Sequence, residues 1–118
     1  MSDKKDLLRE KSIDFTIAIS DICEDIKGFH IYVNQLLRCS SSIGANIYEA
    51  RYAQSDADFI SKLEIALKEC YETEYWLNIF LKKEKISDKQ FKQLNGMRGE
   101  MQRMLIASIT TVKNRMID

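Results

Sequence analysis

Hydrophobic residues recur every three or four positions along most of the chain, a period typical of amphipathic helices rather than strands. The spacing predicts a first helix over residues 12–27, ending at Gly28, with the stripe Ile13, Ile17, Ile19, Ile22, Cys23 and Ile26. Residues 1–11 are mostly charged. We therefore expect that segment to be frayed or to form a helical lead-in.

The next two helices are predicted over residues 32–53 and 56–85. The third begins with Ser55 and Asp58 at the spacing of a capping box. Beside the main apolar stripe of this third helix lies a second row of apolar residues, which includes Tyr71, Tyr75 and Trp76. Because one bundle seam needs less apolar width, these three aromatic residues are a candidate subunit interface, with a wide core contact as the alternative.

A fourth helix is predicted over residues 88–116, after a second cap at Ser87 and Gln90. Its apolar heptad register continues on both sides of Gly96 and Gly99, so we expect one unbroken helix although each glycine costs about 1 kcal/mol. Four amphipathic helices with short connections predict an all-α fold, an antiparallel up-down-up-down four-helix bundle.

Composition adds that the chain is one domain over residues 1–118, large enough to fold without disulfides or metals. The 18 basic and 18 acidic residues cancel, so no net charge attracts nucleic acid from a distance. Residues 88–118 are nevertheless basic, with six cations against three acids. On a continuous helix Lys89, Lys92 and Arg103 share one outer face, a candidate nucleic-acid surface whose alternative is an ordinary solvated face.

Residue types that carry chemistry are sparse. The odd number of cysteines, Cys23, Cys39 and Cys70, argues against a disulfide scaffold. His30 is the only histidine, which excludes a di-iron carboxylate bundle with two Glu-x-x-His motifs. Since no phosphate-binding loop, metal-ligand spacing or paired nucleophile is found, we expect no metal, no cofactor and no catalysis.

The chain has no apolar run of membrane-spanning length and no signal-peptide pattern at its charged N-terminus. These features favour a cytoplasmic protein without a membrane partner. Three unpaired thiols agree with a reducing compartment.

The second predicted helix carries the run Arg-x-x-x-Ser-Ile-x-x-Asn-Ile-x-Glu, from Arg38 to Glu49. It resembles the signature of a bacterial family of four-helix bundles first noticed as reading frames inside intervening sequences of 23S ribosomal RNA genes. Residues 65–77 resemble that family's third-helix pattern, and the likeness runs from about Phe15 to Val112. Gly44 stands where the family often has proline, and Ala50 where it often has glycine.

Four polar residues of this run lie on successive turns, namely Arg38, Ser42, Asn46 and Glu49. We favour a hydrogen-bonded lattice that fixes the register of tightly packed helices. The alternative is a polar rim around a pore or a partner site.

The family resemblance implies a homo-oligomer, specifically a pentamer. Related bundle proteins assist diversity-generating reverse transcriptases, so the implied partners are RNA, DNA or a protein such as a reverse transcriptase. We therefore expect a non-catalytic oligomer with a nucleic-acid-associated accessory role. The alternatives are a protein interaction or assembly module that binds no nucleic acid, and an enzyme whose pocket the sequence does not reveal.

Overall fold

The computed structural model describes residues 4–117, with side chains from Leu7 onward, and consists of four helices. They are α1 (Lys4–Glu24), α2 (His30–Ala50), α3 (Asp56–Lys82) and α4 (Asp88–Ile117). Consecutive helices pack against each other and α1 also packs against α4, whereas the diagonal pairs have no close backbone approach within the described residues. This ring of four neighbours joined by short connections confirms the predicted all-α bundle.

Helix α1 begins at Lys4 rather than at residue 12, so residues 4–11 form the helical lead-in that was one of the two expectations for this segment. Residues 1–3 of the expected lead-in lie outside the described residues. Leu8 is 4% exposed and joins Phe15 and Ile19 in the core, so the charged lead-in gains a buried anchor and continues the helix. Ile13 and Ile17, assigned to the core stripe from the sequence, are instead 50% and 54% exposed.

Both predicted helix caps are present. Ser55 Oγ accepts a hydrogen bond from Asp58 N at 3.0 Å, and Ser87 Oγ accepts one from Gln90 N at 3.0 Å. Gln90 Oε1 in turn accepts from Ser87 N at 2.8 Å, which completes a capping box at α4. The caps satisfy amide donors that the first helical turn leaves without partners.

The interior is built from large apolar side chains of all four helices. The largest fully buried ones are Phe15, Phe80, Ile19, Leu36, Ile43, Leu63, Leu77, Leu94, Met101 and Leu105. Over residues 4–117, no helix combines the length and hydropathy needed to cross a membrane.

Helix α4 is continuous through Gly96 and Gly99, as the heptad register predicted. Gly96 is exposed, and a Cβ built there meets no atom within 4 Å. We therefore expect Gly96→Ala to raise the free energy of unfolding by about 0.5–1 kcal/mol, because alanine removes the entropy cost of glycine without creating a contact. Denaturant titration of both proteins measures this difference, and a destabilised variant would contradict the continuous, unstrained helix.

Candidate interaction surfaces

Arg38 joins α2 to α3 through two carboxylates. Its Nη1 donates to Glu69 Oε2 at 3.3 Å and its Nη2 donates to Glu72 Oε2. Burial raises the pKa of Glu72, but hydrogen bonds from Arg38 and Trp76, together with the charge of Arg38, bring the pKa below its usual value. Glu72 is therefore held as a carboxylate between two donors.

The rest of the predicted polar row follows α2 toward its C-terminus. Asn46 Nδ2 donates to Ser42 O at 2.9 Å and to Ser42 Oγ at 3.2 Å, so these two residues bond to each other within one helix. Glu49 forms a salt bridge of 3.3 Å with Lys62 of α3. The row thus contacts α3 at its two ends, an arrangement that favours the lattice interpretation. Each exposed ion pair contributes less than about 1 kcal/mol, so these contacts add little to stability.

The three candidate interface aromatics divide between surface and interior. Tyr71 and Tyr75 are 47% and 59% exposed, whereas Trp76 is partly buried against the core. The ring of Tyr75 meets Trp76 edge-on at 5.0 Å between centroids, and Trp76 lies 5.6 Å from the ring of Tyr32. Trp76 Nε1 donates to Glu72 Oε2 at 3.1 Å. The exposed ring of Tyr75 therefore packs against the indole of Trp76, and the hydrogen bond to Glu72 fixes the orientation of that indole.

A groove between α1 and α2, which we call the α1–α2 groove, was missed from the sequence because two of its residues were assigned to the core. Its volume is about 370 Å³. It is lined by Ser12, Ile13, Thr16, Ile17, Ser41, Gly44, Ala45 and Tyr48. The sequence does contain a signal for this groove, a second stripe formed by Leu8, Ser12, Phe15 and Ile19. Because this second stripe packs into the core, Ile13 and Ile17 point outward.

The hydroxyl groups of this groove are satisfied within their own helices. Ser12 Oγ donates to Arg9 O at 2.6 Å, Thr16 Oγ1 donates to Ser12 O at 2.9 Å, and Ser41 Oγ donates to Arg38 O at 3.1 Å. Such back-bonding leaves few polar groups facing outward. The lining therefore behaves as an apolar surface.

The candidate nucleic-acid residues lie on the outer side of α4, which we call the basic face. Lys89, Lys92 and Arg103 are all exposed, and none forms a salt bridge with another described residue. Glu100, the acid nearest to Arg103 in sequence, is bound to Lys11 of α1, which lowers the pKa of its carboxyl group. The helix thus presents the three predicted cations on one side, separated by turns rather than gathered in a pocket.

Arg98 is a buried cation that sequence reasoning did not single out. It is 4% exposed and lies at the seam between α4 and α3. Its Nε donates to Asn95 Oδ1 at 2.7 Å, its Nη1 to Gln102 Oε1 at 2.6 Å, and its Nη2 to Glu74 Oε2 at 3.0 Å. Every nitrogen of the guanidinium is therefore bonded inside the protein.

The family model of the 23S rRNA-intervening sequence protein matches residues 5–107 of the chain. The chain belongs to this family. It is also similar to a crystal structure of a protein of unknown function from the S23 ribosomal protein family of Bacteroides thetaiotaomicron, with 40% sequence identity and a TM-score of 0.87. The similarity covers 92% of this chain and 99% of that one. No curated protein matches the sequence.

The three cysteines of this family member are buried, and burial lowers the reactivity of their thiol groups. Burial raises the pKa of Cys23 and Cys39 to about 11 and that of Cys70 to about 12. Cys39 Sγ accepts a hydrogen bond from Thr73 Oγ1 at 3.3 Å, which lowers its pKa by less than burial raises it. Because the thiolate is the nucleophile, these protonated thiols are poor candidates for covalent catalysis at neutral pH.

Metal-binding groups are also lacking in the part of the chain that the structure describes. No three His, Cys, Asp or Glu side chains between residues 4 and 117 are grouped so that they could hold a metal ion. His30 lies exposed at the first position of α2, and its side chain forms none of the side-chain hydrogen bonds or ion pairs found among the described residues.

Proposed function

We propose that this family member is a non-catalytic, oligomeric accessory protein that binds RNA through the basic face of α4. The observation that carries the proposal is the row of exposed, unpaired cations along that helix, from Lys89 through Lys92 to Arg103. At 1.5 Å per residue the row spans about 21 Å. That length suits several contacts to a phosphate backbone rather than recognition of one small anion.

The backbone of α4 is open on this face at Gly96, where no atom lies within 4 Å of the Cβ position. At Gly99 the guanidinium of Arg103 lies over the backbone, with Nη1 3.5 Å from the Cβ position. Without a side chain at Gly96, a phosphate chain can come close to the helix between Lys92 and Arg103.

One chain would bind weakly, because three cations provide few phosphate contacts and the net charge is zero. An oligomer changes this, since each additional basic face engages the same RNA molecule at a high effective concentration. We propose a pentamer, the number that the family resemblance implies. RNA is the first choice of ligand because the family takes its description from 23S ribosomal RNA.

A non-catalytic role is supported by the protonated, buried thiols described above. We place the protein in the cytoplasm, where such thiols stay reduced. The competing proposal is a protein interaction or assembly module without nucleic-acid binding, which the exposed Tyr71 and Tyr75 favour.

The test replaces Lys89, Lys92 and Arg103 together by glutamine and measures binding of a structured RNA by fluorescence anisotropy over a series of salt concentrations. We expect weaker binding at low salt and a slope of log K against log salt that is shallower by about 2–3 per protomer, because each lost phosphate contact removes about 0.7–0.9.

The matched control replaces Lys27, Lys83 and Lys85, which lie exposed in the connections between helices, by glutamine. It changes the net charge equally but leaves the basic face intact. Equal loss of binding in both variants would show that no dedicated face exists. A wild-type protein that does not bind RNA at low salt would refute the proposal and leave the interaction module.

A further inference from the structure

We propose that Lys11 of α1 is a positioning residue for the basic face: it binds Glu100 of α4 and thereby keeps Arg103 free to contact a phosphate group. Lys11 itself does not contact the RNA in this arrangement. Because Arg103 meets a phosphate only if the basic face binds RNA, this role of Lys11 rests on the proposed function.

Glu100 is the acidic residue of α4 that could interfere with the basic face. Between Asp88 in the first turn and Ile117 at the end, Glu100 is the only carboxylate of the helix. It lies three residues before Arg103, a spacing at which a glutamate and an arginine are neighbours on a helix surface and attract each other. A Glu100 carboxylate that is not bound elsewhere would therefore compete with phosphate for the guanidinium of Arg103.

The carboxylate of Glu100 is instead directed toward α1. Lys11 Nζ forms a salt bridge with Glu100 Oε1 across the seam between α1 and α4. The hydrogen bond from Lys11 is the main reason why the pKa of Glu100 lies below its usual value, and the charge of Arg103 makes the smallest contribution. The dominant partner of Glu100 is thus Lys11 and not the arginine of its own helix.

The packing of α1 explains why Lys11 can hold this carboxylate. Its neighbours Leu8 and Ser12 are buried, and α1 packs against α4, so the backbone at Lys11 is fixed beside Glu100. The side chain of Lys11 is itself only 33% exposed. A lysine that is already restrained in this way loses less conformational entropy when it forms a salt bridge than a freely exposed arginine does.

The donors of Arg103 are left unoccupied. Its side chain is exposed, and its guanidinium forms no hydrogen bond or salt bridge with another described residue. Arg103 Nη1 lies 3.5 Å from the Cβ position of Gly99, so the guanidinium lies over the helix backbone one turn before its own residue. A guanidinium with unoccupied donors can hold a phosphate group through two parallel hydrogen bonds. Arg103 is therefore arranged as a phosphate contact as long as Glu100 stays on Lys11.

The test compares Lys11→Gln, Glu100→Gln and the double variant for binding of the same structured RNA by fluorescence anisotropy. Lys11→Gln releases Glu100 to Arg103, so we expect the Kd to rise about 10-fold at low salt. The slope of log K against log salt should become shallower by about 0.7–0.9 per protomer, the effect of one lost phosphate contact. Glu100→Gln should bind at least as tightly as the wild type, and the double variant should bind like Glu100→Gln. Lys11→Arg keeps the salt bridge and should bind like the wild type.

Rescue by the second substitution separates positioning from direct contact. If Lys11 touched RNA itself, the double variant would stay as weak as Lys11→Gln, and the inference would be wrong. Lys62→Gln is the matched control for charge, because it also removes one lysine from a salt bridge, here with Glu49 between α2 and α3. Equal loss of binding in Lys62→Gln and Lys11→Gln would reveal an effect of net charge alone and would overturn the role of Lys11.

A measurement without RNA distinguishes this role from the proposed function. The Nε–Hε NMR signal of Arg103 should shift in Lys11→Gln, because Glu100 then binds the guanidinium, and it should return in the double variant. An Arg103 signal that does not respond to Lys11→Gln would contradict the inference even where the wild type binds RNA. If the signal responds but the wild type binds no RNA, the proposed function fails, whereas the control of Arg103 by Lys11 through Glu100 stands.

Discussion

Arg98→Ala should lower the free energy of unfolding by about 3 kcal/mol. Its side chain is 4% exposed and fills the seam between α3 and α4, so truncation leaves a cavity of the kind that costs 2–5 kcal/mol for a residue of similar length. It also removes the donors that satisfy Asn95, Gln102 and Glu74. Urea denaturation followed by circular dichroism measures the change.

Two further variants separate packing from charge at this position. Arg98→Met keeps most of the volume and buries no charge, so we expect a loss of only about 1 kcal/mol. Glu74→Ala leaves the buried guanidinium without a carboxylate and should cost about 2 kcal/mol, less than for a fully buried pair because Glu74 is 45% exposed. Equal stability of Arg98→Ala and wild type would show that this side chain does not support the α3–α4 seam.

Gly44→Leu should cost about 3 kcal/mol by forcing α1 away from α2. A Cβ built at Gly44 already lies 3.2 Å from Ser12 Oγ and 3.4 Å from Ser12 Cβ, and Ser12 is itself buried. A leucine side chain must pass the buried Ser12 before it reaches the α1–α2 groove, so the helices must separate or the side chain must adopt a strained rotamer. Thermal unfolding of the variant measures the loss.

The matched test at this crossing uses alanine at both positions. Ser12→Ala removes the Oγ atom that a Cβ at position 44 would meet, so Gly44→Ala should be better tolerated in that background than in the wild type. The difference between the two backgrounds is the coupling of a double-mutant cycle. No coupling would mean that the two helices do not approach closely here.

Much of the fold was predictable from the sequence because its local signals agree. The two caps at Ser55 and Ser87 and the regular spacing on α3 and α4 all favour the same helices. The start of α1 was not predictable by composition, since one buried residue, Leu8, is enough to continue a charged helix that otherwise looks unsupported. On α1, an isoleucine-rich stripe that includes Ile13 and Ile17 competes with the stripe that contains Leu8 and Phe15, and only tertiary packing decides which one enters the core.

The candidate surfaces were predicted in part. The sequence identified the cations of the basic face from helical periodicity, and it identified Tyr71 and Tyr75 from an apolar flank wider than one bundle seam needs. Arg98 was missed, although it fills the gap in the register between Leu94 and Met101 where a core residue is expected. A cation at a heptad core position, with Asn95 and Gln102 three residues before and four after it, is the signal of a buried, internally bonded arginine. The α1–α2 groove needed the structure, since its two walls are distant in sequence.

The chain contains one tryptophan, and its position gives the protein a built-in optical reporter. The indole of Trp76 is bonded to a carboxylate and lies 5.0 Å from the ring of Tyr75, which is exposed on the outer side of α3. Covering Tyr75 would exclude water from one side of the indole and change its fluorescence emission. Binding of a partner that covers Tyr75 can therefore be followed in real time without a dye.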